Sequence, residues 1–113
     1  MVGVDPGSAQ QPAALLFTDA TGWHLALELP GVRADSLEVT WTAGMLRVDA
    51  ERPPPGVPWH AVRLSEGRYG RLSRTFAVPD VYDASRAEAV LEQGLLRIDL
   101  PPRNDSRLRL VRS

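Results

Sequence analysis

The sequence predicts an all-β domain, an immunoglobulin-like antiparallel β-sandwich, on three observations. Apolar residues recur with a period of two along most of the chain, the signature of strands with one buried face. Turn signals break these runs at intervals of about ten residues, as in sandwich folds. The 113 residues suffice for one domain that buries roughly two-thirds of its unfolded surface, and no segment reads as a long helix.

Each element follows from local pattern. Residues 1–13 precede the first strand. In "WHLALELPG" Trp23, Leu25, Leu27 and Leu29 share one face, with His24 and Glu28 on the other, and Pro30-Gly31 ends the strand. In "SLEVTWTAG" Leu37, Val39 and Trp41 alternate with Glu38, Thr40 and Thr42. Ala43-Gly44 then turns the chain into "MLRVDAER", where Leu46, Val48 and Ala50 face inward, so the two runs read as a hairpin. The "RPPPGVP" stretch, residues 52–58, is a stiff loop, because proline lacks the donor a central strand needs. In "WHAVRLSEGRYG" Val62 and Leu64 alternate around Arg63 as an isolated strand opened by Trp59, and "RLSRTFAVP" is a strand ending at Pro79. Over Asp83 to Glu92 two readings stand, a short helix beginning at Asp83 or a turn followed by a strand near Ala87 to Leu91. Gln93-Gly94 turns the chain into "LLRIDLPP", with Leu96, Ile98 and Leu100 on one face. After Pro101-Pro102 and a polar run, alternation returns at Leu108 and Leu110. No periodicity marks a repeat array.

Composition narrows function. Acidic and basic residues nearly cancel, 14 against 13, so no net field attracts nucleic acid or an anionic membrane. Every basic residue is arginine, and beyond Pro101 stand Arg103, Arg107, Arg109 and Arg112 against Asp105 alone, a basic tail on a mildly acidic body. There is no cysteine for a disulfide or thiolate. The N-terminal stretch lacks the basic start and long apolar run of a signal peptide or membrane span. A cytoplasmic location is the expectation.

Catalysis is not the expectation. His24 and His60 are too few for a metal site without cysteines; Asp49 and Asp99 are available partners, but nothing in the sequence places them together. No Gly-x-Ser-x-Gly elbow or Gly-rich phosphate loop occurs, and no cofactor is expected. Trp23 and Trp41 are in phase with core leucines rather than forming a carbohydrate platform. Arg74 is in phase with Leu72, Phe76 and Val78, and a guanidinium on an apolar face needs a partner. It either reaches water at a strand edge or sits at a subunit interface, held by a carboxylate.

Spaced motifs in order carry a resemblance. "LALELPGVRADSLEVTWTAGMLRVDAER" resembles the first half of an α-crystallin domain, and "EGRYGRLSRTFAVPDVYDASRAEAVLEQGLLRIDLPPR" its second half. The family pattern Gly-x-Phe-x-Arg-x-Phe-x-Leu-Pro stands here as Gly70, Leu72, Arg74, Phe76, Val78 and Pro79; Ala-x4-Gly-x-Leu stands as Ala89, Gly94 and Leu96; Leu100-Pro101 is the closing pair. Leu72 takes an aromatic's place, and Glu66-Gly67 replaces the usual Glu-Arg. The resemblance is to bacterial-type small heat-shock proteins. It implies a domain over 14–101, a flexible N-terminal arm over 1–13 that is shorter than the family's, and a C-terminal extension over 102–113. It implies an ATP-independent chaperone, not an enzyme, that holds partly unfolded client proteins and uses no metal or cofactor. It further implies a homodimer in which a loop strand is exchanged between subunits, with Trp59, His60, Val62, Leu64 and Arg74 at the interface. It also implies a Leu108-x-Leu110 anchor docking into a groove lined by Leu37, Val39, Ala89 and Leu91, building larger oligomers. The competing reading is a β-sandwich co-chaperone or protein-binding adaptor.

Overall fold

A computed structural model of the chain describes residues 10–54, 56–64 and 69–104, and the backbone alone of Trp59. Seven strands form two antiparallel sheets: β1 (Ala14–Asp19), β2 (Gly22–Glu28), β3 (Glu38–Thr42), β4 (Met45–Arg52), β5 (Gly70–Ala77), β6 (Glu88–Glu92) and β7 (Leu95–Leu100). One sheet runs β1-β2-β7-β6 and the other β3-β4-β5. The all-β sandwich expected from the alternation is the fold observed.

The period-two pattern becomes the core directly. Trp23, Leu25 and Leu27 of β2 and Leu96, Ile98 and Leu100 of β7 face Leu46 and Val48 of β4 and Leu72 and Phe76 of β5, all buried. Trp23 meets Phe76 edge-on across the two sheets, with centroids 6.4 Å apart. Each such side chain contributes about 1.5–3 kcal/mol by leaving water.

Two hairpins hold this arrangement in register. Ala43 and Gly44 (φ 52° and 79°) join β3 to β4, and Gln93 and Gly94 (φ 52° and 78°) join β6 to β7. Both are two-residue turns with positive φ at each position, whose twist matches that of the flanking strands. The hairpins repeat one plan at a fixed offset of 50, from Gly44 to Gly94. The sequence marks no repeat array, yet a single internal repetition is present.

Between Asp83 and Glu92 the turn-then-strand reading holds. The Asp83 carboxylate accepts the Ser85 backbone N–H at 3.0 Å, capping a 3-10 turn over Ala84–Arg86 before β6 begins. The expected strand at Trp59–Leu64 is corrected within the single chain: Trp59–Ala61 forms a 3-10 turn, closed by the Ala61 N–H on the Pro58 carbonyl at 2.9 Å, and 62–64 carries no strand. A strand needs a ladder partner, and the flanking prolines give this loop none locally.

Candidate functional site

The sandwich is left open along one side. There β3 is the edge of one sheet and β6 the edge of the other. Val39 stands opposite Val48, Trp41 opposite Leu46, Ala89 opposite Ile98 and Leu91 opposite Leu96. Their partners are buried, so these four side chains point between the sheets. Val39 and Trp41 nevertheless remain 38% exposed, because no other described residue fills the space beyond them. A cleft of about 180 Å³ runs there, lined by Val39, Thr40, Trp41, Leu46, Ala84, Ala87 and Leu100. It continues past Trp41 and Ala84 into a second hollow of about 350 Å³ with Asp83, Ser85 and Arg103. The walls are apolar and the far end is polar. Bonds from Ser85 and then Arg86 hold the Asp83 carboxyl below its usual range, so it is charged at that end.

Of the four residues expected to line the groove, Val39 lines the cleft. Leu37 and Leu91 are partly buried and pack against the core, while Ala89 is exposed on β6. Trp41, Ala84 and Ala87 were not expected there. Trp41 shares its phase with core leucines, and only its place on an edge strand distinguishes it.

The opposite side of the sandwich is the edge formed by β1 and β5. All six residues of β1 are exposed, including Leu15, Leu16 and Phe17. The edge of β5 is partly covered by the chain's own lead. Gln10 pairs in parallel with Leu72, its N–H donating to the Arg71 carbonyl at 3.0 Å and its carbonyl accepting the Ser73 N–H at 2.8 Å. Arg74 points inward opposite Val48; it donates to the Pro12 carbonyl at 3.0 Å and lies 5.2 Å from the Phe76 ring centre. Within the chain a main-chain carbonyl and an aromatic face hold the guanidinium, and neither neutralises its charge. His60 and Leu64 are exposed and Val62 is half-buried. The anchor residues Leu108 and Leu110 lie outside the described residues.

The outer face of the four-stranded sheet carries a polar cluster. His24 Nδ1 sits 2.6 Å from Asp99 Oδ1, and Nε2 sits 2.9 Å from Asp19 Oδ1. The Thr21 hydroxyl and backbone N–H both donate to Asp19, and Phe17 stacks on the imidazole at 4.9 Å. Of the two aspartates available as partners in a metal site, Asp99 meets His24, whereas Asp49 lies in the other sheet beside Arg47. No group of three or more His, Cys, Asp or Glu is placed to hold a metal among the described residues.

The two-sheet fold is shared with known proteins. Residues 16–113 match the Hsp20/alpha crystallin family. The chain belongs to that family. The Hsp20 domain here is 34% identical over 102 residues to the 22.0 kDa heat shock protein of Arabidopsis thaliana, covering 85% of this chain and 51% of that one. It is 37% identical over 79 residues to Heat shock protein 16 of Schizosaccharomyces pombe, covering 66% and 54%. The chain thus spans little more than half the length of these relatives. In structure it resembles a small heat-shock protein from Xylella fastidiosa, described as having a distinct high order structure, with a TM-score of 0.82, 27% identity and coverage of 94% and 98%.

Proposed function

We propose that this chain is an ATP-independent chaperone that binds partly unfolded proteins and delays their aggregation. The observation that carries the reading is the unfilled groove, whose inward-facing Val39 and Trp41 stay 38% exposed in a domain of the Hsp20 family. Unfolding clients present apolar side chains on extended backbone, and an apolar cleft between two strand edges suits that shape. The mechanism has no chemical step: binding removes client surface from self-association.

Assembly would regulate access. In this reading the segment from Trp59 to Leu64 leaves its own domain and pairs with β1 of a second copy, covering Leu15, Leu16 and Phe17 and burying Trp59 and Val62. His60 and Leu64 lie along the same exchanged segment, and Arg74 braces the adjoining edge. An exchanged strand satisfies edges that otherwise invite aggregation. The tail of another subunit would set Leu108 and Leu110 into the groove, a gross gain of roughly 3–6 kcal/mol reduced by ordering of the tail. Such docking is reversible, so clients can compete for the same surface.

The test is light scattering from an aggregating model client, without ATP, at near-stoichiometric amounts of this protein. Suppressed scattering supports the reading. Unchanged scattering with a folded protein present would instead favour the adaptor reading.

A further inference from the structure

We propose that His24 is a proton-operated latch that ties β1 to the rest of its sheet, closed when the imidazole is doubly protonated and released when it loses one proton. The placement of two carboxylates on one ring points to it. Each ring nitrogen faces a carboxylate oxygen, Nδ1 on Asp99 of β7 at 2.6 Å and Nε2 on Asp19 at the end of β1 at 2.9 Å. Both contacts are hydrogen bonds only if both nitrogens carry a proton, which is the imidazolium. A neutral ring keeps one N–H and turns the other contact into two opposed lone pairs. Thr21 compensates only at a cost: its single hydroxyl proton, 2.9 Å from Nε2, reaches the neutral ring by leaving Asp19.

The surroundings favour the cation. Facing His24 are Asp19 and the stacked Phe17 from β1, Thr21 in the turn, and Asp99 from β7, with Arg97 of β7 further along opposite Ala26. Glu88 of β6 stands opposite Asp99, and Glu28 lies further along the outer face of β2. Carboxylates outnumber the single arginine. The His24 side chain is 16% exposed, so the coupling is less screened than at a free surface.

The titration follows. The bond to Asp99, then that to Asp19, raises His24 above its ordinary 6.5, while bonds from Thr21 and His24 pull Asp19 from 3.8 down to about 2. A raised histidine contributes stability that is complete below 6.5 and is lost as pH rises through the folded value. A depressed carboxyl contributes stability present above 3.8 and lost as pH falls through about 2. The latch is therefore shut at mildly acidic pH and opens as pH rises through the folded value, which lies above 6.5. β1 is the edge to which the proposed function assigns the partner's exchanged segment, so on that reading proton loss also loosens the dimer.

The test is amide hydrogen exchange on the full chain at about pH 6 and about pH 8.5, expressed as protection factors to remove the intrinsic base dependence. Protection of β1 amides should fall roughly three- to tenfold at the higher pH, as for two partly exposed ion pairs, with β4 unchanged. In His24→Gln and in Asp99→Asn, β1 should be weakly protected at both values. Equal β1 protection at both pH values in the unsubstituted protein would overturn the latch, whether or not the variants fold. Subunit exchange between isotopically labelled and unlabelled chains separates the two ideas. If β1 protection falls but exchange does not quicken, the latch stands and the role of β1 as dimer edge fails.

Discussion

Hairpin β3–β4 and hairpin β6–β7 share Glu38 and Glu88, Gly44 and Gly94, Leu46 and Leu96, Arg47 and Arg97, and Asp49 and Asp99, all at the same offset of 50. Each is preceded by a 3-10 turn, Ala34–Ser36 or Ala84–Arg86, and each belongs to a different sheet. Their roles diverge at two places. On the inward face of the first strands, Val39 and Trp41 stand against Ala87, Ala89 and Leu91. The matching side chain is smaller at each position, Ala89 for Val39 and Leu91 for Trp41, and the groove lies along Val39 and Trp41. On the outer face of the second strands, Asp49 binds its own neighbour Arg47 at 2.8 Å, while Asp99 binds His24 on β2 at 2.6 Å. The same local plan acquires a different function from the strand it is laid beside.

The largest effect should come from the shared core. Leu96→Ala, at a position only 1% exposed, should cost about 2–5 kcal/mol by removing contacts and leaving a cavity. Chemical denaturation checks this. A loss below about 1 kcal/mol would mean that the second hairpin is not the central packing element.

The turns should separate the hairpins next. A Cβ at Gly94 would lie 2.9 Å from the Pro30 Cα, whereas at Gly44 the nearest atom, the Val78 carbonyl oxygen, is 4.0 Å away. Both positions have positive φ, costing an alanine about 1–2 kcal/mol. Gly94→Ala should cost a further 1–3 kcal/mol or so from overlap with backbone. Equal melting temperatures for the two variants would contradict the close approach.

The groove wall should matter more for binding than for folding. Trp41→Ala should cost about 1–2 kcal/mol of stability, since the ring is only partly covered. It should lower affinity for a peptide spanning residues 104–113 by at least about tenfold. Calorimetric titration reads the second quantity, and unchanged affinity would move the docking site elsewhere.

The smallest effect concerns the two aspartates. Asp99→Asn should flatten the dependence of stability on pH near neutrality, because it removes the largest cause of the raised His24. Asp49→Asn should leave that dependence in place, since its partners are Arg47, Arg71 and Ser73 and no histidine. Thermal melts across pH distinguish them, and identical profiles would remove the distinction.

What could be read from residue order was whatever depends on near neighbours. Alternation marked the buried faces of β2, β4, β5 and β7, and Ala43-Gly44 and Gln93-Gly94 marked both hairpin turns. The Asp83 cap was visible as one of two options, because a helix and a 3-10 turn begin alike. Pairings across long separations were not legible. His24 and Asp99 lie 75 residues apart, and only the β2–β7 register joins them. Trp41 has core phase, and its exposure depends on where β3 falls in the sheet order. Arg74 stands out in the sequence by its phase with apolar residues, yet its Pro12 partner is a main-chain carbonyl that no residue type announces. The loop over 59–64 alternates like a strand, but a strand forms only against a partner edge.

The most direct test is the mass in solution of the full chain, by light scattering or sedimentation at micromolar concentration, beside the Leu108→Ala/Leu110→Ala double variant. A groove that receives another subunit's tail predicts a species larger than a dimer that falls to a dimer in the variant. Equal masses for the two proteins, or a stable monomer in both, would contradict it.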